Sequence, residues 1–168
     1  MTRIVLLDVD GVLNQARSRS AAEKRAKREP ETVYGAPRRR YIWTAQGQFP
    51  VIWSPSLVEE LRRIARETDS QWWWCTTWDT ETVYLERELH IAWFEGVMPV
   101  PDPREQRHWK EKAARDWLEK GYEVAWVDDV YARDLTTKDG QRMLAIKPDE
   151  HYGLTRQQVA ELEAFLKS

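Results

Sequence analysis

The chain has 168 residues, 42% of them hydrophobic and 32% charged, with a formal net charge of -2, and its length predicts a single domain over residues 1–168. One cysteine, Cys75, excludes an internal disulfide and a zinc site built from thiolates. No stretch approaches the roughly 20 apolar residues that cross a bilayer, and the N-terminus lacks a signal-peptide pattern, so we expect a cytoplasmic protein with no membrane partner.

The N-terminal third of the chain predicts one buried strand followed by an insertion. Residues 3–9 are a continuous apolar run rich in β-branched side chains, which is typical of a strand buried on both faces of a parallel sheet. The pattern breaks up over residues 14–52, where residues 21–29 favour a short, polar helix. We therefore expect a small insertion directly after the first strand.

A helix and a second strand are predicted next. Apolar residues at helical spacing indicate a helix over residues 55–67, with Ser56 and Glu59 placed to form a capping box. Residues 71–76 form a second apolar run, and Asp79 is suited to cap the helix that follows. From this point strands and helices alternate along the chain.

The C-terminal half continues the alternation. A helix is predicted over residues 108–120, and apolar runs at residues 122–127 and 142–146 predict two further strands. A capping box formed by Thr155 and Gln158 predicts the start of a last helix. Strands that alternate with helices predict an α/β fold, in which helices cover both faces of a mainly parallel sheet.

Carboxylates directly follow two of the predicted strands. Asp8 and Asp10 end the first strand, and Asp128 and Asp129 end the strand at residues 122–127. Because ligand sites in such sheets lie beyond the carboxyl ends of the strands, we expect these side chains to lie close together. Two like charges 4 Å apart repel by roughly 4 kcal/mol at an effective dielectric constant of 20, so a cation is needed to offset them. Oxygen ligands without histidine or cysteine favour Mg²⁺.

The residues at these strand ends resemble a known set of motifs. The sequence LLDVDGVL at residues 6–13 resembles the first motif of the haloacid dehalogenase (HAD) superfamily, most of whose members are Mg²⁺-dependent phosphohydrolases. Thr76 or Thr77 is similar to the hydroxyl motif of that family, and Lys110 is similar to its lysine motif. The pair 128–129 resembles the acidic fourth motif, so the resemblance extends over the whole chain.

A narrower resemblance rests on five short segments, namely residues 8–14, 74–78, 109–110, 125–129 and 153–155. Together they resemble the HAD domain of Swiss Army Knife RNA repair proteins of actinobacterial and phage type. The resemblance implies an HAD-like Rossmannoid three-layer sandwich with a mainly parallel sheet. It also implies that the insertion after the first strand, over residues 14–52, is a small cap or flap.

The resemblance implies a catalytic role for four side chains. Asp8 would attack phosphorus and form an aspartyl-phosphate, while Asp10 would protonate the leaving oxygen and then accept a proton from water. Lys110 and the Thr76 hydroxyl would hold the phosphoryl oxygens. Because their roles differ, Asp8 must stay ionised, whereas Asp10 must be able to hold a proton.

The implied Mg²⁺ site uses the same strand ends. Asp8, the backbone carbonyl of Asp10 and Asp129 would bind the ion, and Asp128 and Asp134 would be direct or indirect partners. Histidines at 90, 108 and 151 lack the spacing of metal ligands and are expected to be structural or exposed.

Two assignments stay open, and two residues are assigned to the substrate. Thr77 competes with Thr76 for the phosphate, and Lys112 competes with Lys110.

Gly11 lets the chain turn sharply without a Cβ in the way. Gly11 and Thr77 are expected to line the position of the substrate.

The insertion has a net positive charge, unlike the rest of the chain. Residues 15–40 contain nine basic and three acidic residues, a formal charge of +6 on an otherwise acidic chain. Three arginines, Arg38, Arg39 and Arg40, are expected to contact a phosphate backbone, although a charged flap without ligand would look the same in sequence. The tryptophans at 72–74 are expected to pack in the core, with residue 73 on the opposite face of its strand from the other two.

These observations favour a Mg²⁺-dependent phosphomonoester hydrolase that acts on nucleic-acid ends or nucleotides. The alternatives are a small-molecule phosphatase and a non-catalytic module of the same fold that binds nucleic acid or protein.

Overall fold

The computed structural model describes residues 2–15, 19–102, 104, 108–137 and 140–168, except for the side chain of Arg19. The strands are β1 (Arg3–Leu7), β2 (Arg38–Thr44), β3 (Gly47–Trp53), β4 (Ser70–Trp74), β5 (Phe94–Val97), β6 (Glu123–Val127) and β7 (Met143–Ile146). The helices are α1 (Arg19–Arg28), α2 (Pro55–Glu67), α3 (Thr82–Leu89), α4 (Trp109–Glu119) and α5 (Arg156–Lys167). None of the described helices combines the length and the apolar composition of a membrane span.

Five strands form one parallel sheet in the order β5-β4-β1-β6-β7. In its register, Leu7 at the end of β1 lies beside Trp74 of β4 and Val127 of β6. Because these three strands run in the same direction, the residues that follow them meet at one edge of the sheet. The predicted α/β class with a mainly parallel sheet is confirmed.

Helices cover both faces of the sheet and create three layers. Along β1, Val5 and Leu7 pack in a cluster with residues of α2, α3 and α5, whereas Ile4 and Leu6 pack in a second cluster with residues of α4. Burial on both faces explains why the four residues of β1 after Arg3 are all apolar instead of alternating with polar ones.

The tryptophans of β4 pack as their alternation predicts. Trp72 and Trp74 are buried in the cluster of α2, α3 and α5. Trp73 packs against the cluster of α4 on the opposite face, where its ring lies 5.7 Å from the ring of Trp117. These aromatic side chains therefore belong to the core.

The insertion after β1 contains a helix and an antiparallel hairpin. The predicted polar helix is confirmed as α1, although it begins and ends slightly earlier than expected. The hairpin of β2 and β3 was not predicted. Ala45 and Gln46 join its two strands. The next residue, Gly47, has a φ of 134°, a backbone conformation that favours glycine. Arg17, one of the basic residues of the insertion, lies outside the described residues.

The predicted bounds of α2, residues 55–67, are confirmed, but the predicted capping box of Ser56 and Glu59 is wrong. Ser54, rather than Ser56, is the N-cap, and its Oγ accepts a hydrogen bond of 3.4 Å from the backbone N–H of Leu57. The reason is Pro55, which occupies the first helical position, where the missing N–H costs nothing. Glu59 instead pairs with Arg62.

The other two predicted caps have opposite outcomes. Asp79 does not cap a helix, because it has a left-handed backbone conformation with a φ of 47° and begins a 3-10 turn that precedes α3. The capping box of Thr155 and Gln158 is confirmed at the start of α5.

Candidate active site

The backbone fixes two carboxylates at the carboxyl edge of the sheet. The N–H of Asp8 donates to the carbonyl of Val127 over 3.0 Å, and the N–H of Asp128 donates to the carbonyl of Ile146 over 3.1 Å. Hydrogen bonding between strands thus continues one residue beyond β1 and β6. Asp8 is 7% exposed and Asp128 is fully buried, so the fold places both carboxyl groups out of water.

A buried lysine links the two carboxylates. The Lys110 Nζ donates to Asp8 Oδ2 over 2.5 Å and to Asp128 Oδ2 over 2.6 Å. Lys110 lies in the first turn of α4 and is 4% exposed. Burial alone would lower its pKa, but the charges of Asp8 and Asp128 outweigh that effect and raise the pKa above its ordinary value. This ammonium group is therefore held in its charged form.

The remaining oxygens of the two carboxylates also accept hydrogen bonds. Asp8 Oδ1 accepts from the N–H of Val9 over 2.7 Å. Asp128 Oδ1 accepts from the N–H groups of Val130 and Tyr131 over 2.9 and 2.6 Å. Both oxygens of Asp128 consequently have partners, which makes it a fixed anchor for the lysine and for the loop after β6.

The environment of Asp8 strongly opposes a negative charge. Burial raises the pKa of Asp8 to about 7, because the lowering effect of Lys110 and of a hydrogen bond with Thr76 does not compensate for the lost hydration, and the charge of Asp128 adds to the rise. Additional positive charge close to Asp8 would therefore favour its ionised form at neutral pH.

Three carboxylates are arranged to hold that charge. One oxygen each of Asp8, Asp128 and Asp129 lies within 4.8 Å of the other two. Burial and the charge of Asp128 raise the pKa of Asp129 as well. Three carboxylates against the single ammonium group of Lys110 leave a formal charge of -2, which a divalent cation balances. The donor set and its charge fit Mg²⁺.

Asp134 does not take part in this group of carboxylates within the described residues. Its side chain is exposed to water. The loop after β6 therefore supplies Asp128 and Asp129 to the group, and an indirect role of Asp134 in metal binding stays a prediction.

Gly11 makes room for one of the metal-ligand candidates. It has a φ of 70°, which L side chains rarely adopt, and a Cβ at this position would overlap the carboxylate of Asp129. From the sequence, Gly11 was expected to line the position of the substrate. The observed neighbour is Asp129, so a glycine is required here by the close approach of the loop after β6.

Asp10 is exposed at the mouth of the site and is oriented by two donors. Its Oδ1 accepts from Asn14 Nδ2 over 2.6 Å, and its Oδ2 accepts from Trp78 Nε1 over 2.9 Å. The Asn14 Oδ1 in turn accepts from the N–H of Ile52 in β3 over 2.9 Å. Asp10 is thereby connected to the hairpin.

Asn14 and Trp78 were not named as site residues from the sequence. Both lie in the segments that carried the narrower resemblance, residues 8–14 and 74–78, and that was the available signal. Their residue types do not indicate that both bind the same aspartate. Their separation of 64 positions in the chain gives no indication of it either.

The structure separates the two threonines. Thr76 is fully buried, and the hydrogen bond of its side chain with Asp8 helps to lower the pKa of that carboxyl. Thr77 is exposed and lines a cavity with Asp10. Thr76 therefore belongs to the buried carboxylate group, whereas Thr77 belongs to the mouth of the site.

The structure also separates the two lysines. Lys112 is exposed and donates to Asp116 over 2.7 Å, one turn further along α4. Helical periodicity turns it away from the sheet edge that Lys110 faces. Lys110 is the lysine that reaches the carboxylates.

The cavity beside Asp10 has a volume of about 210 Å³. The hairpin forms one wall of it, through Thr44, Gln46, Phe49 and Pro50, and Thr77, Trp78 and Glu81 form another. The ring of Phe49 lies 5.7 Å from the ring of Trp78, the residue that binds Asp10. An opening thus leads from solvent to Asp10 beneath the hairpin.

The three arginines of β2 lie outside the carboxylate group, on the exposed hairpin. Arg39 Nη2 donates to the Tyr41 hydroxyl over 2.5 Å. Arg40 lies 3.8 Å from Glu88 of α3. Arg38 is exposed at the beginning of β2. Their expected contact with substrate stays a prediction.

Comparison with known proteins identifies the family. Residues 4–159 match the family model described as the HAD domain in Swiss Army Knife RNA repair proteins. Searches of curated proteins and of solved structures found no match. The matched segment includes both carboxylate strand ends and the lysine between them, and it extends over most of the chain. The chain belongs to the family of HAD domains found in Swiss Army Knife RNA repair proteins.

Proposed function

We propose that this chain is a Mg²⁺-dependent phosphomonoester hydrolase that acts through Asp8 on nucleic-acid ends or nucleotides. Its family supports a phosphatase-type hydrolase with a role in RNA repair. The observation that carries the proposal is the buried arrangement of Asp8, Lys110 and Asp128, in which one nucleophilic carboxylate is held by a permanent positive charge.

The first step transfers the phosphoryl group to the protein. A carboxylate oxygen of Asp8 forms a bond to phosphorus while the bond from phosphorus to the leaving oxygen breaks. Asp10 donates its proton to that oxygen, so the product leaves as an alcohol. The hydrogen bonds from Asn14 and Trp78 keep the Asp10 carboxyl group directed at the mouth of the site.

The second step releases phosphate. Water attacks the phosphorus of the aspartyl-phosphate, Asp10 accepts a proton from that water, and the bond between phosphorus and Asp8 breaks. Inorganic phosphate leaves and both aspartates return to their starting states. Lys110 and the Thr76 hydroxyl hold the phosphoryl oxygens during both steps.

Asp8, Asp129 and the backbone carbonyl of Asp10 would hold Mg²⁺, with Asp128 as a further partner. The bound ion would neutralise charge on the phosphoryl oxygens and on the carboxylates. Because Asp128 also anchors Lys110, we assign its main role to positioning.

Phosphate release measured with purified protein tests the proposal. Wild-type protein with Mg²⁺ is expected to release phosphate from 3′- or 5′-phosphorylated oligonucleotides, and EDTA or the substitution Asp8→Asn is expected to abolish release. Asp69→Asn, at an exposed aspartate that precedes β4, is the matched control and should retain full activity. Release that persists with Asp8→Asn would contradict the proposal.

Free nucleotides and a generic aryl phosphate serve as parallel substrates in the same assay. Faster turnover of the oligonucleotides than of either small substrate supports nucleic-acid ends as the substrate class. Equal or slower turnover of the oligonucleotides would instead favour a small-molecule phosphatase.

A further inference from the structure

We propose that the exposed face of β2 binds single-stranded nucleic acid by stacking bases on Tyr41 and Trp43, with Arg39 contacting the phosphate backbone. We call Arg39, Tyr41 and Trp43 the aromatic stripe. The inference rests on the proposed function in one respect, namely that the bound strand directs its phosphorylated end towards Asp8. Binding itself is independent of catalysis and can be measured separately.

Strand periodicity places the stripe on one face of the hairpin. Residues 39, 41 and 43 alternate with residues 38, 40 and 42, so the two sets point to opposite faces. Ile42 is 1% exposed and packs in the core, which makes its face the inner one. The stripe consequently lies on the outer face, where Gln48 and Pro50 are exposed partners in the register with Trp43 and Tyr41.

The exposure of the two rings is unusual for this protein. Trp43 is 68% exposed and Tyr41 is 49% exposed. All ten tryptophans lie within the described residues, and Trp43 is the one that is mostly exposed. Burying a large apolar side chain stabilises a fold by roughly 1.5–3 kcal/mol. Four other tryptophans are at most 5% exposed and contribute in this way, whereas the exposed ring of Trp43 does not.

The charged residues of the hairpin itself are all basic, and its acidic neighbours are Glu88, which faces Arg40, and Glu81, which accepts from the N–H of Ala45. Residues 38–53 contain three arginines and no aspartate or glutamate. The Arg39 Cζ lies 4.8 Å from the centre of the Tyr41 ring, and its Nη2 donates to the Tyr41 hydroxyl. A guanidinium group held beside an aromatic ring can bind phosphate while a base stacks on a neighbouring ring.

The stripe leads to the site already described. Thr44, next to Trp43, lines the same cavity as Asp10. At a rise of about 3.3 Å per residue, Arg39 lies about 13 Å along the strand from Trp43, which leaves room for two stacking positions beside one backbone contact. Because Thr44 alternates with Trp43, this cavity lies on the inner face of the hairpin, and a strand end bound on the stripe would approach Asp10 by passing around the hairpin tip at Ala45 and Gln46.

The exposed rings favour single strands over duplexes. In a duplex the faces of the bases are covered by their neighbours, whereas in a single strand they are free to stack on aromatic side chains. Two rings and one arginine on an otherwise neutral face match this kind of ligand, and such binding tolerates many base sequences.

The experiment measures binding without turnover. Protein carrying Asp8→Asn is titrated into fluorescently labelled, phosphorylated oligonucleotides of about a dozen nucleotides, as single-stranded RNA, single-stranded DNA and duplex, and anisotropy is recorded. The substitutions Trp43→Ala and Tyr41→Ala are each expected to weaken single-strand binding at least about 5-fold, while Trp43→Phe, which keeps an aromatic ring, retains affinity to within about 3-fold. Val83→Ala, at an exposed apolar residue of α3 away from the stripe, is the matched control and should leave binding unchanged.

Salt dependence tests the contribution of Arg39. The substitution Arg39→Gln is expected to reduce the slope of log affinity against log salt concentration by about 0.7, since one phosphate contact is lost. Arg28→Gln, at an exposed arginine of α1, should leave the slope unchanged. Circular dichroism of each variant verifies that the fold is retained.

Two kinds of result would overturn the inference. Single-strand affinity that is unchanged in both alanine variants, or duplex binding as tight as single-strand binding, would exclude stacking on the stripe. Self-association that Trp43→Ala abolishes would assign the stripe to a second copy of the chain. If wild-type protein releases no phosphate while the stripe binds single strands, the proposed function fails and the inference of stacking stands.

Discussion

At the carboxyl edge of the sheet, Asp8, Lys110 and Asp128 are buried and each side chain is paired, whereas the hairpin exposes aromatic rings and arginines to water. The first region depends on strands far apart in the chain, which converge because β1 lies between β4 and β6. The second is formed by one continuous segment. The difference separates two requirements of the proposed enzyme. The nucleophile Asp8 and its charged partners are fixed in a buried site, whereas the surface that meets the substrate stays open.

Loss of the buried lysine is expected to have the largest effect. Lys110→Met leaves Asp8 and Asp128 buried without a counter-charge, so the free energy of unfolding should fall by about 3–5 kcal/mol and phosphate release should be lost. Urea denaturation and phosphate release measure both effects.

Lys112→Met, on the exposed side of the same helix, is the control and should leave stability and activity nearly unchanged. Equal effects of the two substitutions would contradict the importance of the buried charges. If Lys110→Met fails to fold, the double variant that also carries Asp8→Asn should recover part of the stability, because one uncompensated charge is removed.

The close approach of Gly11 to Asp129 gives the second prediction. Gly11→Ala must strain a φ of 70° and displace the Asp129 carboxylate, so we expect Mg²⁺ affinity to fall about 10-fold or more and stability to fall by roughly 1–3 kcal/mol. Isothermal titration with Mg²⁺ measures the affinity.

Gly121→Ala separates the two causes. Gly121 has a φ of 89°, but no atom of the described part of the chain lies within 4 Å of the position that a Cβ would take. Its substitution should therefore lower stability alone and leave Mg²⁺ binding unchanged. Unaltered Mg²⁺ affinity in Gly11→Ala would show that the overlap with Asp129 does not govern the site.

The connection between the two regions is the hydrogen bond from Trp78 to Asp10. Trp78→Phe keeps a ring beside Phe49 but removes the Nε1 donor, so kcat for phosphate release should fall about 10-fold, as expected when a proton-transfer group loses its orientation. Trp93→Phe removes an indole whose Nε1 has no hydrogen-bond partner among the residues that the structure describes, and it should leave kcat unchanged. The same kcat in both variants would mean that the indole of Trp78 does not orient Asp10.

The smallest predicted effect lies far from both regions, where Arg63 of α2 pairs with Glu163 of α5 over 2.8 Å. Hydrogen bonds from Arg63 and Lys167 lower the pKa of Glu163 from 4.5 to about 2. Stability from this pairing is therefore present above pH 4.5 and is lost as the pH falls towards 2. Because the pair is partly exposed, Glu163→Gln should cost less than about 1 kcal/mol at pH 7, with a smaller cost at pH 3 and no change in phosphate release.

Denaturation of wild-type protein and Glu163→Gln at several pH values measures this difference. A difference in unfolding free energy that is as large at pH 3 as at pH 7 would contradict the assignment of the lowered pKa to the ion pair.

The sheet could be predicted from sequence because its signals are local and strong. A strand buried on both faces is apolar along its buried length, as β1 is after Arg3. Few residue types suit the start of a helix, and Pro55 and the capping box of Thr155 and Gln158 marked two of these starts. The convergence of Asp8 with Asp128 follows from the rule that parallel strands end at one edge, so these aspartates could be named in advance. Lys110 was named only through the resemblance to the HAD lysine motif.

The hairpin and the contacts of Asp10 could not be predicted in the same way. Charge and turn residues obscure the alternation in β2 and β3, and adjacent Arg38, Arg39 and Arg40 conceal the fact that alternate side chains face opposite directions. The bonds of Asp10 to Asn14 and Trp78 depend on tertiary packing alone. The close approach of Gly11 to Asp129 could not be predicted either, because it brings together two loops that are far apart in the sequence.

The most direct test of the central claim is to locate the transferred phosphoryl group. Wild-type protein is mixed with Mg²⁺ and an oligonucleotide labelled in its terminal phosphate, quenched in acid within the first turnover, digested and analysed by mass spectrometry. We predict a phosphoryl group on the carboxylate of Asp8 and none on protein carrying Asp8→Asn. Phosphate release without any phosphorylated peptide, or a phosphoryl group on a residue other than Asp8, would contradict the account.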